Sequence, residues 1–261
     1  MNSRLLYAGA ASLAAIVFAA PAMAQDAPAA AYSGWYIGGN LGGVWGDNSL
    51  NAHVSPGTAI GPTNPIVIPP ADEALINAGG GGNSNKTGFT GGVEGGYNYV
   101  AGNWLFGIET EFSALDVNES QQNNFQSTIS SPAVTYSITQ RAKTNWMWTL
   151  RPRVGVISGP WLFYGTAGIA SADIKVALNY SDTRTPPNSA NTESSSTRTG
   201  WAGGLGGAYA FGPQWSVKGE WLYADFGSIS TTATSPSGFV DVTSEGKVRA
   251  NIFRFGMDYR F

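Results

Sequence analysis

The sequence predicts an all-β fold, an eight-stranded antiparallel transmembrane up-and-down β-barrel, on three observations. Apolar residues alternate with polar residues or glycine in one segment after another, whereas nothing beyond the N-terminus sustains apolar residues at helical spacing. Glycine (35 residues) and aromatic residues (9 Trp, 11 Tyr, 12 Phe) are both abundant, a pairing that suits tight turns and aromatic girdles. Short and long connections also follow one another in strict alternation.

The chain begins MNSRLLYAGAASLAAIVFAAPAMAQ, which offers Arg4, an apolar stretch over 5–20 and then Ala22-Met23-Ala24. A small-residue A-x-A pattern after such a stretch reads as a secretory leader spanning 1–24. The stretch is shorter than the roughly 20 residues a spanning helix needs, and Pro21 ends it. A short segment, 25–33, would then lead into a barrel domain over 34–261.

The first strand is the glycine-rich GWYIGGNLGGVWG of Gly34–Gly46. In the second, Phe89, Gly91, Val93, Gly95, Tyr97 and Tyr99 oppose Thr90, Gly92, Glu94, Gly96 and Asn98. In the third, Trp104, Phe106, Ile108, Thr110 and Phe112 oppose Leu105, Gly107, Glu109, Glu111 and Ser113. In the fourth, Trp146, Trp148, Leu150, Pro152, Val154 and Val156 oppose Asn145, Met147, Thr149, Arg151, Arg153 and Gly155. A period of two puts the members of each pair of sets on opposite faces of a strand. The fifth and sixth, 161–180 and 198–211, are richer in glycine, and the parity of 161–180 stays open. The seventh sets Trp215, Val217, Gly219, Trp221 and Tyr223 against Ser216, Lys218, Glu220 and Leu222. The eighth sets Phe253, Phe255, Met257, Tyr259 and Phe261 against Arg254, Gly256, Asp258 and Arg260.

Between strands two and three, four and five, and six and seven stand Ala101-Gly102-Asn103, Ser158-Gly159-Pro160 and Gly212-Pro213-Gln214, all turn chemistry. The other connections, 47–86, 118–143, 181–197 and 227–246, are long, polar and rich in Ser, Thr, Asn, Pro and Gly. Short periplasmic turns alternating with long extracellular loops is the pattern of a bacterial outer-membrane barrel.

Charge decides which parity faces inward. The polar sets carry Glu94, Glu109, Glu111, Glu220 and Asp258 against Arg151, Arg153, Lys218, Arg254 and Arg260. Such balance suits a closed lumen in which each ion needs a partner, so these ten residues are read as a lumen ion network. The aromatic parity then faces lipid; in the competing reading, a soluble lipocalin-like barrel, it would fill the interior. Eight strands enclose only enough room for their own side chains, which argues against a continuous aqueous pore.

Other function classes find little support. There are no cysteines, so neither disulfides nor thiolate metal sites are available, and a net charge of −3 without a basic stripe gives no sign of a nucleic-acid partner. Glu109 and Glu111 could in principle be an acid/base pair, but cations on a neighbouring strand favour the ion network. His53, the single histidine, is a speculative haem ligand in the first long connection; without a second His or Cys it reads better as an exposed loop residue. The glycine runs at 79–82 and 203–207 are not phosphate cradles, because neither joins a strand to a helix in the required way. Neither a metal nor a cofactor is expected.

With SGWYIGGNLGGVWG, GGVEGGYNY, WLFGIETEFSALD, LRPRVGV, WLFYGTAGIA, WSVKGEWLYADFG and FRFGMDYRF in this order, the chain resembles the small OmpA-like outer-membrane β-barrel proteins of alphaproteobacteria. That "porin family" group includes surface immunogenic and haem-binding proteins. The resemblance implies residence in the outer membrane among its lipid and lipopolysaccharide, and a non-enzymatic structural or surface role. It also implies that Phe255, Met257, Tyr259 and Phe261 face lipid and form the terminal signal read by the barrel assembly machinery. The alternative it leaves is a small-solute porin-like barrel or one that binds haem or another ligand through its loops, with host-surface contacts possible there too. Unlike OmpA, the chain is expected to carry no peptidoglycan-binding domain after Phe261.

Overall fold

Period-two alternation produces long strands, and hydrogen bonding between the first and the last of them closes a ring. The structure, a computed structural model, describes residues 31–46, 48–56, 70–84, 87–126, 134–183, 187, 189–234 and 240–261. The expected leader 1–24 lies outside them. The elements are β1 (Gly34–Gly46), β2 (Asn48–Pro56), α1 (Pro70–Gly79), β3 (Gly81–Ser84), β4 (Thr87–Ala101), β5 (Trp104–Gln126), β6 (Thr135–Ser158), β7 (Trp161–Asp182), β8 (Ser189–Ala210), β9 (Trp215–Thr234) and β10 (Val240–Arg260). The ring runs β1-β4-β5-β6-β7-β8-β9-β10, and β10 returns to β1 from Tyr36↔Arg260 to Gly46↔Ala250. Each neighbouring pair is antiparallel. Gly102 and Gly159 hold two of the short turns at φ 60° and 58°, a left-handed backbone that favours glycine.

The long connections are where the structure departs from the sequence reading. Strands β5 and β6 run for 23 and 24 residues, and β7 and β8 for 22 each, so most of 118–143 and 181–197 is sheet. The stretch 227–246 is likewise mostly strand, in β9 and β10, and 47–86 holds β2, α1 and β3. The outer part of β10 pairs with β2 from Val240↔Pro56 to Lys247↔Ser49, and β3 adds to β2.

Within these polar stretches a second alternation, of opposite sense, was hidden. Nearer the short turns the exterior is apolar, with Trp35, Leu41, Phe112, Phe163, Leu205 and Phe255 exposed, while the interior holds a polar cluster beyond a small apolar layer at the turns. Farther along the same strands Tyr136, Ile138, Leu178, Tyr180, Ala233 and Val242 are buried inside. Ser137, Thr139, Asn179 and Thr232 alternate with them along the strands. Such an inversion is what lipid around one tier and water around the other would require. Register shifts between Ala114/Val117, Thr144/Met147 and Lys247/Arg249 fall near the change of tier on β5, β6 and β10. In β7, whose parity was open, even-numbered residues such as Leu162, Tyr164 and Ala170 turn inward.

Helix α1 begins with Pro70, has Asp72 and Glu73 in its first turn, and lays Ile76 among the buried residues of the far tier. Its Asn77 stands in for a neighbouring strand. The Val54 N–H donates to Asn77 Oδ1 at 2.7 Å, and Asn77 Nδ2 donates to the Val54 carbonyl at 3.2 Å. Tyr136 donates its O–H to Asp72 at 3.0 Å, and Gln140 donates to the Gly80 carbonyl at 3.1 Å, which ties both ends of the helix to β6. Asn77→Ala removes both partners of a buried backbone unit, and a loss of about 1–3 kcal/mol is expected, read as an earlier unfolding midpoint of an intact barrel.

Candidate functional site

The inward polar positions of the membrane tier converge on one buried cluster. Arg151 on β6 is fully buried and reaches three carboxylates: Nη2 donates to Glu109 at 2.6 Å and Glu111 at 3.0 Å, and Nη1 to Glu220 at 2.9 Å. Arg254 on β10 joins Glu111 and Glu220 from the other side. Lys218 on β9 lies 2.8 Å from Glu94 and 3.0 Å from Glu109, and Arg153 Nη1 is 3.1 Å from Glu109. Asp258 is buried beside them, where a Cβ at Gly38 would meet both its carboxylate and that of Glu94, so glycine makes the room.

Neutral side chains take up remaining bonding positions. Tyr36 donates to Glu109 at 2.8 Å, Tyr164 to Glu220 at 2.9 Å, Asn40 to Glu94 at 3.1 Å, and Ser113 to Glu111. Arg153 donates Nε–H to Asn98 at 3.0 Å, and its guanidinium stands 4.6 Å and 5.3 Å from the ring centres of Tyr36 and Tyr164. These partners were not singled out in the sequence, although Tyr36, Asn40 and Asn98 sit at period two among glycines on the inward parity. Tyr164 was hidden because its strand's parity was open.

Nine of the ten expected network residues therefore come together, and Arg260 does not. Its guanidinium turns to the short-turn rim, where Nε and Nη2 donate to the Pro213 carbonyl at 3.2 Å and 2.6 Å, and Nη1 to that of Ser33 at 3.1 Å. Next to the end of β10, a long side chain finds unpaired turn carbonyls nearer than the carboxylates. Five carboxylates thus share the cluster with four cations, not five with five.

The arrangement bears on chemistry. Oxygens of Glu94, Glu109 and Glu111 lie within 4.8 Å of one another, a grouping that could hold a metal ion. Lys218, Arg151, Arg153 and Arg254 already occupy the cation positions around them. An acid/base role would also require a substrate to arrive. On the short-turn side Tyr32, Leu105, Ile157 and Leu162 fill the ring, and on the far side Leu115, Met147, Ala172, Phe226 and Val248 do. His53 lies not in a loop but on β2, exposed and opposite Thr243, outside any group of three or more metal-ligating side chains among the described residues.

At the seam, Phe255, Met257 and Phe261 are exposed, Tyr259 packs edge-on to Trp215 at 4.8 Å, and the Phe261 N–H donates to the Trp35 carbonyl at 3.1 Å. No described helix is long and apolar enough to cross a membrane. The exposed apolar belt runs around strands.

Comparison with known proteins agrees with that belt. Residues 10–261 match the family model described as outer membrane protein beta-barrel domain. The chain is 34% identical over 179 residues to a 31 kDa outer-membrane immunogenic protein of Brucella melitensis biotype 1, covering 67% of each chain. It is also 34% identical over 97 residues to a 22 kDa outer membrane protein of Rhizobium leguminosarum bv. viciae, covering 36% of this chain and 37% of that one. Among solved structures, the outer membrane protein OprG of Pseudomonas aeruginosa aligns over 88% of this chain and 98% of its own, with 14% identity and a TM-score of 0.45. With nearly its whole length matched by the family model, the chain belongs to the outer-membrane β-barrel domain family, and its place is the bacterial outer membrane.

Proposed function

We propose that this protein is a closed, non-enzymatic surface barrel of the cell envelope, anchored by its aromatic belt and presenting its far tier outside the cell. One observation carries the reading: among the described residues the ring holds a buried, densely paired ion cluster with apolar tiers on both sides, which supports a closed lumen without a route for solute or a reachable reactive group. In this reading the short turns and Phe261 lie on the periplasmic side, residues 1–24 are the export leader, and the C-terminal strand is what the assembly machinery engages. The relatives named as immunogenic support a surface role for the far tier, whose outward Ser, Thr and Asn suit contact with water.

Single-channel recording in planar bilayers tests this. Insertion without steady conductance is the expected result. Stable steps of current would overturn it in favour of a solute-passing barrel.

A further inference from the structure

Just beyond the apolar belt, on the outer face of β6 and β7, Lys143 stands directly opposite Lys175. Both point outward, because Ala142 beside one and Ile174 and Val176 beside the other are the buried, inward members of the alternation. Arg141, exposed, continues the same face two residues farther from the belt. The belt itself ends close by, at Trp146 stacked on Phe112 and at exposed Ile169.

Like charges directly opposed across two strands destabilise a sheet, and an anion between them reverses the sign. Carboxylates share this face, Asp173 on β7 and exposed Asp116 on β5, but neither forms an ion pair with the lysines. Asp173 is engaged by Asn145 at 3.4 Å and Ser195 at 3.0 Å. Glu193 faces Ala177, a row farther from the belt, and on β5 the residue opposite Lys143 is Asn118. Among the described residues neither lysine has an ion-pair partner. Arg249 on β10 shows the contrast, with Asp225 directly opposite at 3.0 Å. Ser195 and Thr197 on β8 add hydroxyls at the same level.

We propose that Lys143 and Lys175, with Arg141 above them, bind the phosphate of an outer-leaflet saccharolipid headgroup. The inference rests on the far tier facing outward. The level is right for it: headgroup phosphates lie where the apolar belt gives way to polar strand, and cations placed there are drawn to an anionic leaflet. Ammonium groups hold a phosphate as point charges, and the hydroxyls suit the attached sugar.

The test is the unfolding midpoint of the full-length barrel, followed by heat-modifiability on gels, in vesicles of phosphatidylcholine alone, with lipid A, and with lipid A stripped of its phosphates. For the natural chain the midpoint is expected to rise by about 5 °C with phosphorylated lipid A and not with the stripped form. The double variant Lys143→Gln/Lys175→Gln should lose that rise while being at least as stable as the natural chain in phosphatidylcholine. An equal rise in the variant, or no rise in the natural chain, overturns the proposal and leaves the barrel reading intact. Failure to form a heat-modifiable barrel in any of the vesicles overturns both.

Discussion

Arg151→Ala lowers the unfolding midpoint of the barrel by about 10 °C, the largest loss expected from a single side chain in the lumen. The guanidinium is fully buried and reaches Glu109, Glu111 and Glu220. Removing it strands carboxylates between apolar tiers, and breaking one side of such a buried network costs about 3–5 kcal/mol. Intact ion pairs are a different matter, since their attraction largely offsets the loss of hydration. A second change therefore discriminates: Arg151→Met combined with Glu220→Gln removes one charge of each sign and should recover part of the loss. A midpoint for Arg151→Ala within 2 °C of the natural chain would mean that water reaches the cluster.

Phe255→Arg is expected to cost about 2–4 kcal/mol, the depth-dependent penalty for a cation on the lipid face of a barrel near its midplane. Phe255 is exposed and pairs with Leu41, well inside the β1–β10 seam. The matched control is Asn179→Arg on the far tier, also outward and exposed, which should change stability by less than about 0.5 kcal/mol. Both substitutions place the same ion on an exposed strand position, so the difference between them measures the surrounding solvent alone. Unfolding in vesicles by urea supplies it, and equal effects at the two sites would remove the membrane boundary from where the apolar belt puts it.

The membrane tier was readable in the sequence because lipid writes a simple rule on a strand. Apolar side chains such as Phe106, Phe255 and Met257 must alternate with whatever the lumen tolerates, and glycines or charges stand out against them. The charged members of the cluster were readable for the same reason. Arg260 was misjudged because parity fixes the face a side chain leaves from and not how far a long one reaches along the barrel. The far tier was missed for a physical cause as well. There the apolar residues face inward and are often small, as at Ala52, Ala190 and Ala233, while Ser, Thr and Asn on the wet side have the composition of a loop. Only pairing with neighbours, across hairpins as at Gln126↔Thr135 and from far along the chain as at Val242↔Val54, makes those stretches strands.

Strand β7 passes from lipid into water, and its surroundings can be read directly because the chain has no cysteine of its own. Single cysteines at Phe163, Ile169, Ala172 and Asn179 would be placed in the vesicle-inserted barrel and exposed to a charged maleimide. The account predicts rapid labelling at Asn179 and protection at the other three, Phe163 and Ile169 by lipid and Ala172 by the packed lumen. Labelling of Phe163→Cys and Ile169→Cys as fast as Asn179→Cys would contradict it, because the apolar belt would then face water.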